Sequence, residues 1–235
     1  MRTPTTLSID VGSTNVKAQT VGPRGAPRSD RIKFETPDPL TPRSLTAIIH
    51  DVAEPLRPFD RVSVGLPGIV HRGVVFALPV LGDHRLKRFR LADLLEKSLG
   101  RPVRLMNDAE MHALGVIQRQ GAELILTFGT GLGTALFLNG ERGGRMEFIP
   151  TPSGREPKGG VFGDASRKML GNSEWSRRVM RLIEVLRETT NFDRCYVGGG
   201  NAKKLKGRLP RGVTKVDNSA ATLGGVRLWD WDILT

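Results

Sequence analysis

Residues 7–21 read L-S-I-D-V-G-S-T-N-V-K-A-Q-T-V, and residues 124–138 read L-I-L-T-F-G-T-G-L-G-T-A-L-F-L. Each stretch reads as a short buried strand, a Gly/Thr turn and a second strand-like run, the pattern of two strands joined by a turn. The recurrence of that unit predicts two related domains facing each other across a cleft. The segments between supply helices. Leu45, Ile48, Ile49, Val52 and Leu56 recur at spacings of three and four, an amphipathic helix stopped by Pro55 and Pro58. Leu91, Leu94, Leu95 and Leu99 mark a second helix with Gly100 as its C-terminal cap. Trp175, Val179, Leu182, Ile183 and Leu186 mark a third, capped in this reading by Ser173, and residues 220–229 a last one. V-S-V-G-L-P-G-I-V at 62–70 reads as a strand broken at Gly65 and at Pro67-Gly68, and P-V-R-L-M-N-D at 102–108 and C-Y-V-G-G-G-N at 195–201 as further strands. Helices alternating with strands imply an α/β fold with partly parallel sheets. The expected division is a smaller α/β domain over 1–112 and a larger one over 113–235, with the C-terminal helix free to pack back on the first.

The chain carries 36 Lys and Arg against 24 Asp and Glu, a formal charge of +12. Such an excess suits a polyanion: nucleic acid, an anionic membrane or polymeric phosphate. It is concentrated between residues 155 and 215, which hold 15 basic and 6 acidic side chains. Cys195 is the single cysteine, so a disulfide within the chain and a multi-cysteine zinc site are excluded. No run of about 18 apolar residues is present to span a membrane, and the first residues lack a signal-like apolar stretch. A cytoplasmic protein without a membrane partner is the expectation.

A phosphate needs several donors aimed inward, and glycine lets backbone N–H groups approach without a Cβ clash. Gly12, Ser13 and Thr14 offer amides and hydroxyls, with Lys17 close behind; Gly129, Thr130, Gly131 and Gly133 offer a richer set. Neither is a Walker loop or a dinucleotide fingerprint, because the required spacings are absent and no helix pattern follows G-T-G-L-G-T. Asp10, at the end of the first strand, reads either as a turn-starting residue or as a carboxylate facing phosphate-bound Mg²⁺. Asn107 and Asp108 both read as N-cap residues for the helix that follows, and Asp108 reads either as that cap or as a general base at a strand's C-terminal end, two compatible roles. His50, His71, His84 and His112 have no ligand spacing.

D-V-G-S-T-N-V-K-A at 10–18 resembles the first phosphate motif of the actin-like ATPase superfamily, whose domains have a ribonuclease H-like fold. G-L-P-G-I-V at 65–70, M-N-D-A-E at 106–110 and L-T-F-G-T-G-L-G-T-A-L at 126–136 resemble the sugar and second phosphate motifs of ROK kinases. V-G-G-G-N at 197–201 is similar to their adenosine segment. R-L-A-D-L-L-E-K-S-L-G-R-P-V-R-L-M-N-D at 90–108 and S-E-W-S-R-R-V-M-R-L-I-E-V-L-R at 173–187 are similar in order and spacing to the polyphosphate/ATP glucokinase branch. The resemblance implies a phosphotransferase acting on a sugar hydroxyl. Asp108 would be its base, with Gly68, Asn107 and Glu147 among the sugar-binding residues. Asp10 would orient hydrated Mg²⁺, both glycine turns and Lys17 would hold the phosphates of ATP or polyphosphate, and Gly198, Gly199, Gly200 and Asn201 would line adenosine. The zinc-binding cysteine cluster of many ROK proteins is absent, so no zinc is expected.

One stretch departs from the family. Where ROK kinases carry E-L-G-H, residues 138–152 read L-N-G-E-R-G-G-R-M-E-F-I-P-T-P, with no histidine. Glu147 would stand in for an acidic residue of the motif, and Arg142 or Arg145 would face the substrate. Sites that pair hydroxyls discriminate strongly, so the alternative is a kinase for a non-glucose, acidic sugar, or a binding protein that has lost the sugar clasp. A repressor relative would need a DNA-binding segment before the first motif, and nine residues precede Asp10. Lys203, Lys204, Lys206, Arg208 and Arg211, with Arg177 and Arg178, are expected to form a basic track toward the donor site, suited to polyphosphate rather than nucleic acid. A homodimer is left open.

Overall fold

Strand β1 (Thr6–Val11) is buried along both faces, the apolar Leu7, Ile9 and Val11 alternating with Thr6, Ser8 and Asp10, because it lies inside a sheet, with the hairpin partner β2 (Asn15–Val21) antiparallel on one side and β4 (Arg61–Leu66) parallel on the other. The computed structural model describes residues 3–78, 86–143 and 159–230 and divides into two compact units, Met1–Gly115 with Ser219–Thr235, and Val116–Asn218.

In the first unit the edge strand β3 (Ile32–Glu35) extends the hairpin and β7 (Val103–Asn107) pairs parallel with β4, giving the order β3-β2-β1-β4-β7. A small hairpin, β5 (Ile69–His71) with β6 (Val74–Ala77), stands apart from that sheet. Helix α1 (Pro42–Ala53) starts at a reciprocal cap between Thr41 and Ser44, and its Leu45, Ile48, Ile49 and Val52 enter the core. Helix α2 (Leu91–Leu99) ends at Gly100 in the left-handed region, φ 66°. Helix α3 (Asp108–Leu114) follows β7 directly.

The chain returns to this unit as α5 (Ser219–Arg227). Ser63 Oγ donates to the Gly225 carbonyl (2.6 Å) and accepts from Trp229 Nε1 (2.8 Å). The guanidinium groups of Arg61 and Arg104 lie 5.0 and 4.7 Å from the Trp229 ring centroid, cation–π contacts worth about 0.5–1 kcal/mol each at exposed sites.

The second unit repeats the strand order. β8 (Ala122–Phe128) and β9 (Leu132–Leu138) are the hairpin and β10 (Glu141–Arg142) its edge; β11 (Arg194–Gly198) and β12 (Val213–Lys215) add in parallel, giving β10-β9-β8-β11-β12. The helical span α4 (Asp164–Thr190) is kinked into two helices at Gly171, and the second of them covers this sheet with Trp175, Val179, Ile183 and Leu186. Its Trp175 is fully buried, meets Phe128 edge-to-face at 5.5 Å and donates from Nε1 to the Phe162 carbonyl (3.0 Å).

Two expectations need correction. Gly65 does not break its strand: β4 runs through to Leu66, and the missing side chain instead makes room for the Met111 methyl, which a Cβ would approach to 2.6 Å. Ser173 is not a helix cap: it already lies inside the helix that carries Trp175 to Leu186, which starts just after the non-helical Gly171 (φ 76°, ψ 159°), and a preceding helical stretch from Asp164, with Gly163 as N-cap, leads into that kink.

Candidate active site

Each unit carries one of the two glycine turns at the end of its central strand, and the two are built differently. In the first, Gly12 N–H donates to the Asn15 carbonyl (3.0 Å), while Thr36, just after β3, holds the outside of the turn. Its hydroxyl donates to the Gly12 carbonyl (2.6 Å) and its N–H to the Thr14 carbonyl (3.0 Å). Asp10 faces Lys17 across the β1–β2 ladder, with Lys17 Nζ 3.9 Å from Asp10 Oδ2. Burial pushes the Asp10 carboxyl above its ordinary value, and the charges of Lys17 and then Arg31 pull it partly back. The side chain keeps 27% of its surface exposed, enough for a ligand to reach.

Also in the first unit, β7 runs into α3 through Asn107 and Asp108. Asn107 is the N-cap: its Oδ1 accepts from the N–H groups of Ala109 (2.9 Å) and Glu110 (3.1 Å). Its Nδ2 donates to the Gly68 carbonyl (3.1 Å), which ties α3 to the turn after β4. The caps thus use both acceptor positions of Asn107, and what it has left for a ligand is its second amide N–H. Asp108 is the first helical residue, half-buried, with Oδ1 accepting from Ala109 N–H (2.9 Å). Gly68 has to be glycine, because a Cβ there would overlap the Ala77 carbonyl oxygen and crowd Leu78.

The second turn rests on other glycines. Gly129 N–H donates to the Gly131 carbonyl (3.0 Å). The Gly129 carbonyl accepts from Asp164 N–H (3.1 Å) and from Asn201 Nδ2 (2.9 Å), and the Phe128 carbonyl from Asn201 N–H (2.9 Å). Beneath Thr130 lie Gly159 (φ 87°) and Gly163, and a Cβ on either would overlap the Thr130 carbonyl oxygen. Gly199 (φ 84°) fits under Phe128 in the same way, so Gly198, Gly199, Gly200 and Asn201 are brought against the second turn rather than standing apart from it. Arg167 and Lys168 grip the two oxygens of Asp164 (2.7 and 2.8 Å) and hold that carboxyl below its usual range.

Sequence reasoning missed Thr36, Gly159, Gly163 and Asp164. The pattern G-G-x-x-G at 159–163 was the available signal. Arg142 lies on β10 opposite Phe137; Arg145 and Glu147 lie outside the described residues, as does His84. Of the basic residues singled out, Arg177, Arg178, Lys206 and Arg208 line one groove, while Lys203, Lys204 and Arg211 are exposed elsewhere on the second unit. Cys195 is 1% exposed, and burial pushes its thiol up to about 12, which removes it as a nucleophile. No helix among the described residues is long and apolar enough to cross a membrane.

A family model described as "ROK family" matches residues 6–145. The polyphosphate glucokinase of Mycobacterium leprae (strain TN) is 27% identical over 235 residues, covering 93% of this chain and 72% of that protein. The crystal structure of the inorganic polyphosphate/ATP-glucomannokinase from Arthrobacter sp. strain KM superposes with a TM-score of 0.82 at 26% identity, over 95% of this chain and 97% of that one. A ROK family glucokinase from Streptomyces griseus, crystallised with glucose and AMPPNP, shares the fold at a TM-score of 0.74 and 18% identity, over 95% and 98% of the two chains.

Proposed function

The chain belongs to the ROK family, and from that premise we propose that it transfers a phosphoryl group from ATP or inorganic polyphosphate to a sugar hydroxyl. The observation that carries this reading is the end of β7. Asn107 takes over the capping of α3, so that Asp108 is not needed as the cap and stands half-buried at the strand's C-terminal end, where ligands of α/β sheets bind.

Phosphoryl transfer asks mainly for alignment and charge neutralisation. The sugar oxygen forms a bond to the terminal phosphorus as the bond to the leaving phosphate breaks, and Asp108 takes the hydroxyl proton. Asn107, with one amide N–H left over, donates to a neighbouring sugar oxygen, and Gly68 keeps the turn beside it close. The N–H groups and hydroxyls of Gly12 to Thr14, with Lys17, and those of Gly129 to Gly133 hold donor phosphates. Gly198 to Asn201 line the nucleotide when ATP is the donor.

The donor set also bears on metal binding. Among the described residues no group of three or more acidic, histidine or cysteine side chains that could hold a metal ion is gathered. One carboxylate, Asp10, next to a phosphate turn fits hydrated Mg²⁺, which keeps most of its waters and shares phosphate oxygens. Bound there, the ion would neutralise phosphate charge, and Asp10 would orient it through its waters.

A second reading concerns the sugar. Arg142, partly exposed on β10, stands in the stretch that departs from E-L-G-H, and a guanidinium favours a substrate bearing a carboxylate or phosphate. Crossing glucose, mannose, N-acetylated, acidic and phosphorylated sugars with ATP and polyphosphate tests both readings. Transfer to a neutral hexose is the expected result. Activity on acidic sugars alone would select the second reading, and no transfer to any sugar from either donor would remove the kinase assignment.

A further inference from the structure

A groove of about 970 Å³ runs along the exposed side of α4, and neither glycine turn uses it. Arg177, Arg178 and Arg181 line it from the helix, where positions three and four apart share one face. Lys206 and Arg208 line it from the segment that follows the V-G-G-G-N turn. That segment is tied to the helix at both ends: Lys206 N–H donates to Ser176 Oγ (2.9 Å), and Arg187 Nη2 donates to the Arg211 carbonyl (2.6 Å). The cations therefore stand on two walls fixed to each other.

Glu174 pairs with both Arg177 and Arg178. Among the described residues no carboxylate forms an ion pair with Arg181, Lys206 or Arg208. Glu184 and Glu188 line the groove further along the helix, which leaves the positive charge densest beside the 206–208 segment. No aromatic side chain lines the groove. Single-stranded nucleic acids gain much of their affinity by stacking bases on aromatic rings, which this wall does not offer; a chain of phosphates needs only cations. The segment that carries Lys206 and Arg208 leads away from the second turn, because Asn201, which bonds to Phe128 and Gly129, precedes Lys206 by five residues in the same unit.

We propose that this groove is an anchoring site for inorganic polyphosphate, binding phosphates of a long chain remote from the one transferred. The proposal rests on the reading of the second turn as a phosphoryl-donor site. It makes long chains better ligands than short ones, through cations that ATP does not touch.

The test compares the wild-type protein with a variant carrying Arg181→Gln, Lys206→Gln and Arg208→Gln, whose circular dichroism and melting temperature are checked first. Binding of labelled polyphosphate of about a hundred phosphates, of tripolyphosphate and of single-stranded RNA is measured across salt concentrations, and turnover is followed with ATP and with both polyphosphates. The variant is expected to bind long polyphosphate about tenfold or more weakly, with a salt slope shallower by about three. Its KM for long polyphosphate should rise to match, while tripolyphosphate and ATP kinetics stay unchanged. Unaltered long-chain affinity in the variant, or no binding by the wild type, would overturn the proposal. So would RNA binding as tight as polyphosphate and lost in the same variant, which would make this a nucleic-acid site. If the wild type uses polyphosphate and the variant matches it at every chain length, the groove reading fails and the donor reading stands. If the wild type binds polyphosphate through these residues but transfers from none, the groove stands and the donor reading fails.

Discussion

Gly12–Asn15 and Gly129–Gly131 close equivalent hairpins, on sheets whose strands run in the same order and with the same sense, yet they differ in what lies around them. At the first turn the strand brings charge: Asp10, opposite Lys17. The equivalent pair at the second is Thr127 opposite Gly133, with no charge at all. At the second turn the packing beneath is made of glycine backbone, Gly159, Gly163 and Gly199, where the first has the side chain of Thr36. The same strand order thus carries two differently built turns, one with a carboxylate and a lysine at the strand ends and one set on a floor of glycine backbone.

Of the changes that separate the two turns, the largest effect should come from removing the charge at the first. Asp10→Asn should lower Mg²⁺-dependent turnover about a hundredfold or more, the scale of losing one fixed electrostatic group in an active site. Steady-state kinetics against Mg²⁺ will measure it, and an unchanged rate would break the contrast drawn here. The pH dependence has a definite sign. The folded Asp10 carboxyl titrates above its ordinary 3.8, so its contribution to stability is present at low pH and lost as pH rises through the folded value. Asp10→Asn should therefore leave the melting temperature at neutral pH unchanged or raised, although activity is lost. In the metal-free wild type, stability should decline as pH rises through the folded value, and this part of the pH dependence should vanish in the variant.

Next in size is the floor of the second turn. Gly159→Ala combines a left-handed backbone with an overlap on the Thr130 carbonyl, and should cost about 2–3 kcal/mol in chemical denaturation and raise the KM for the donor. At the first turn, Gly12→Ala meets only the Asn15 carbonyl at 3.0 Å with an ordinary φ, and should cost less than about 1 kcal/mol. Equal costs would mean that the two turns are not supported differently. Asn107→Ala removes a cap and the bond to Gly68, for about 1–2 kcal/mol of stability together with a raised sugar KM. Asn107→Ser should recover part of the stability, because serine also caps, but not the KM, because it cannot reach Gly68 and the sugar together.

The parts of this site that were legible in the sequence are local. An apolar strand, a glycine turn and a capped helix each announce themselves within about ten residues, and so the hairpins, the β7–α3 junction and the Gly100 cap could be read directly. What was hidden depends on partners far along the chain. β3, β10 and β12 are two to four residues long, and their existence follows from the strands beside them. Asn107 looked like a sugar ligand, and nothing near it reveals that Gly68, 39 residues earlier, takes one of its donors. The start of α4 was unreadable because its N-cap is Gly163, which is there for closeness to Thr130 and gives no side-chain signal.

The claim on which the rest depends is that Asp108 takes the sugar's proton. Asp108→Asn retains an oxygen to accept the Ala109 N–H and should fold as the parent does. The direct measurement is turnover of this variant on the best sugar from the substrate panel, with ATP and with polyphosphate, beside its circular dichroism spectrum. A loss of about 10²–10⁴ in kcat with an intact fold is the predicted result, the range that general-base catalysis supplies. Turnover close to the parent's would contradict the account.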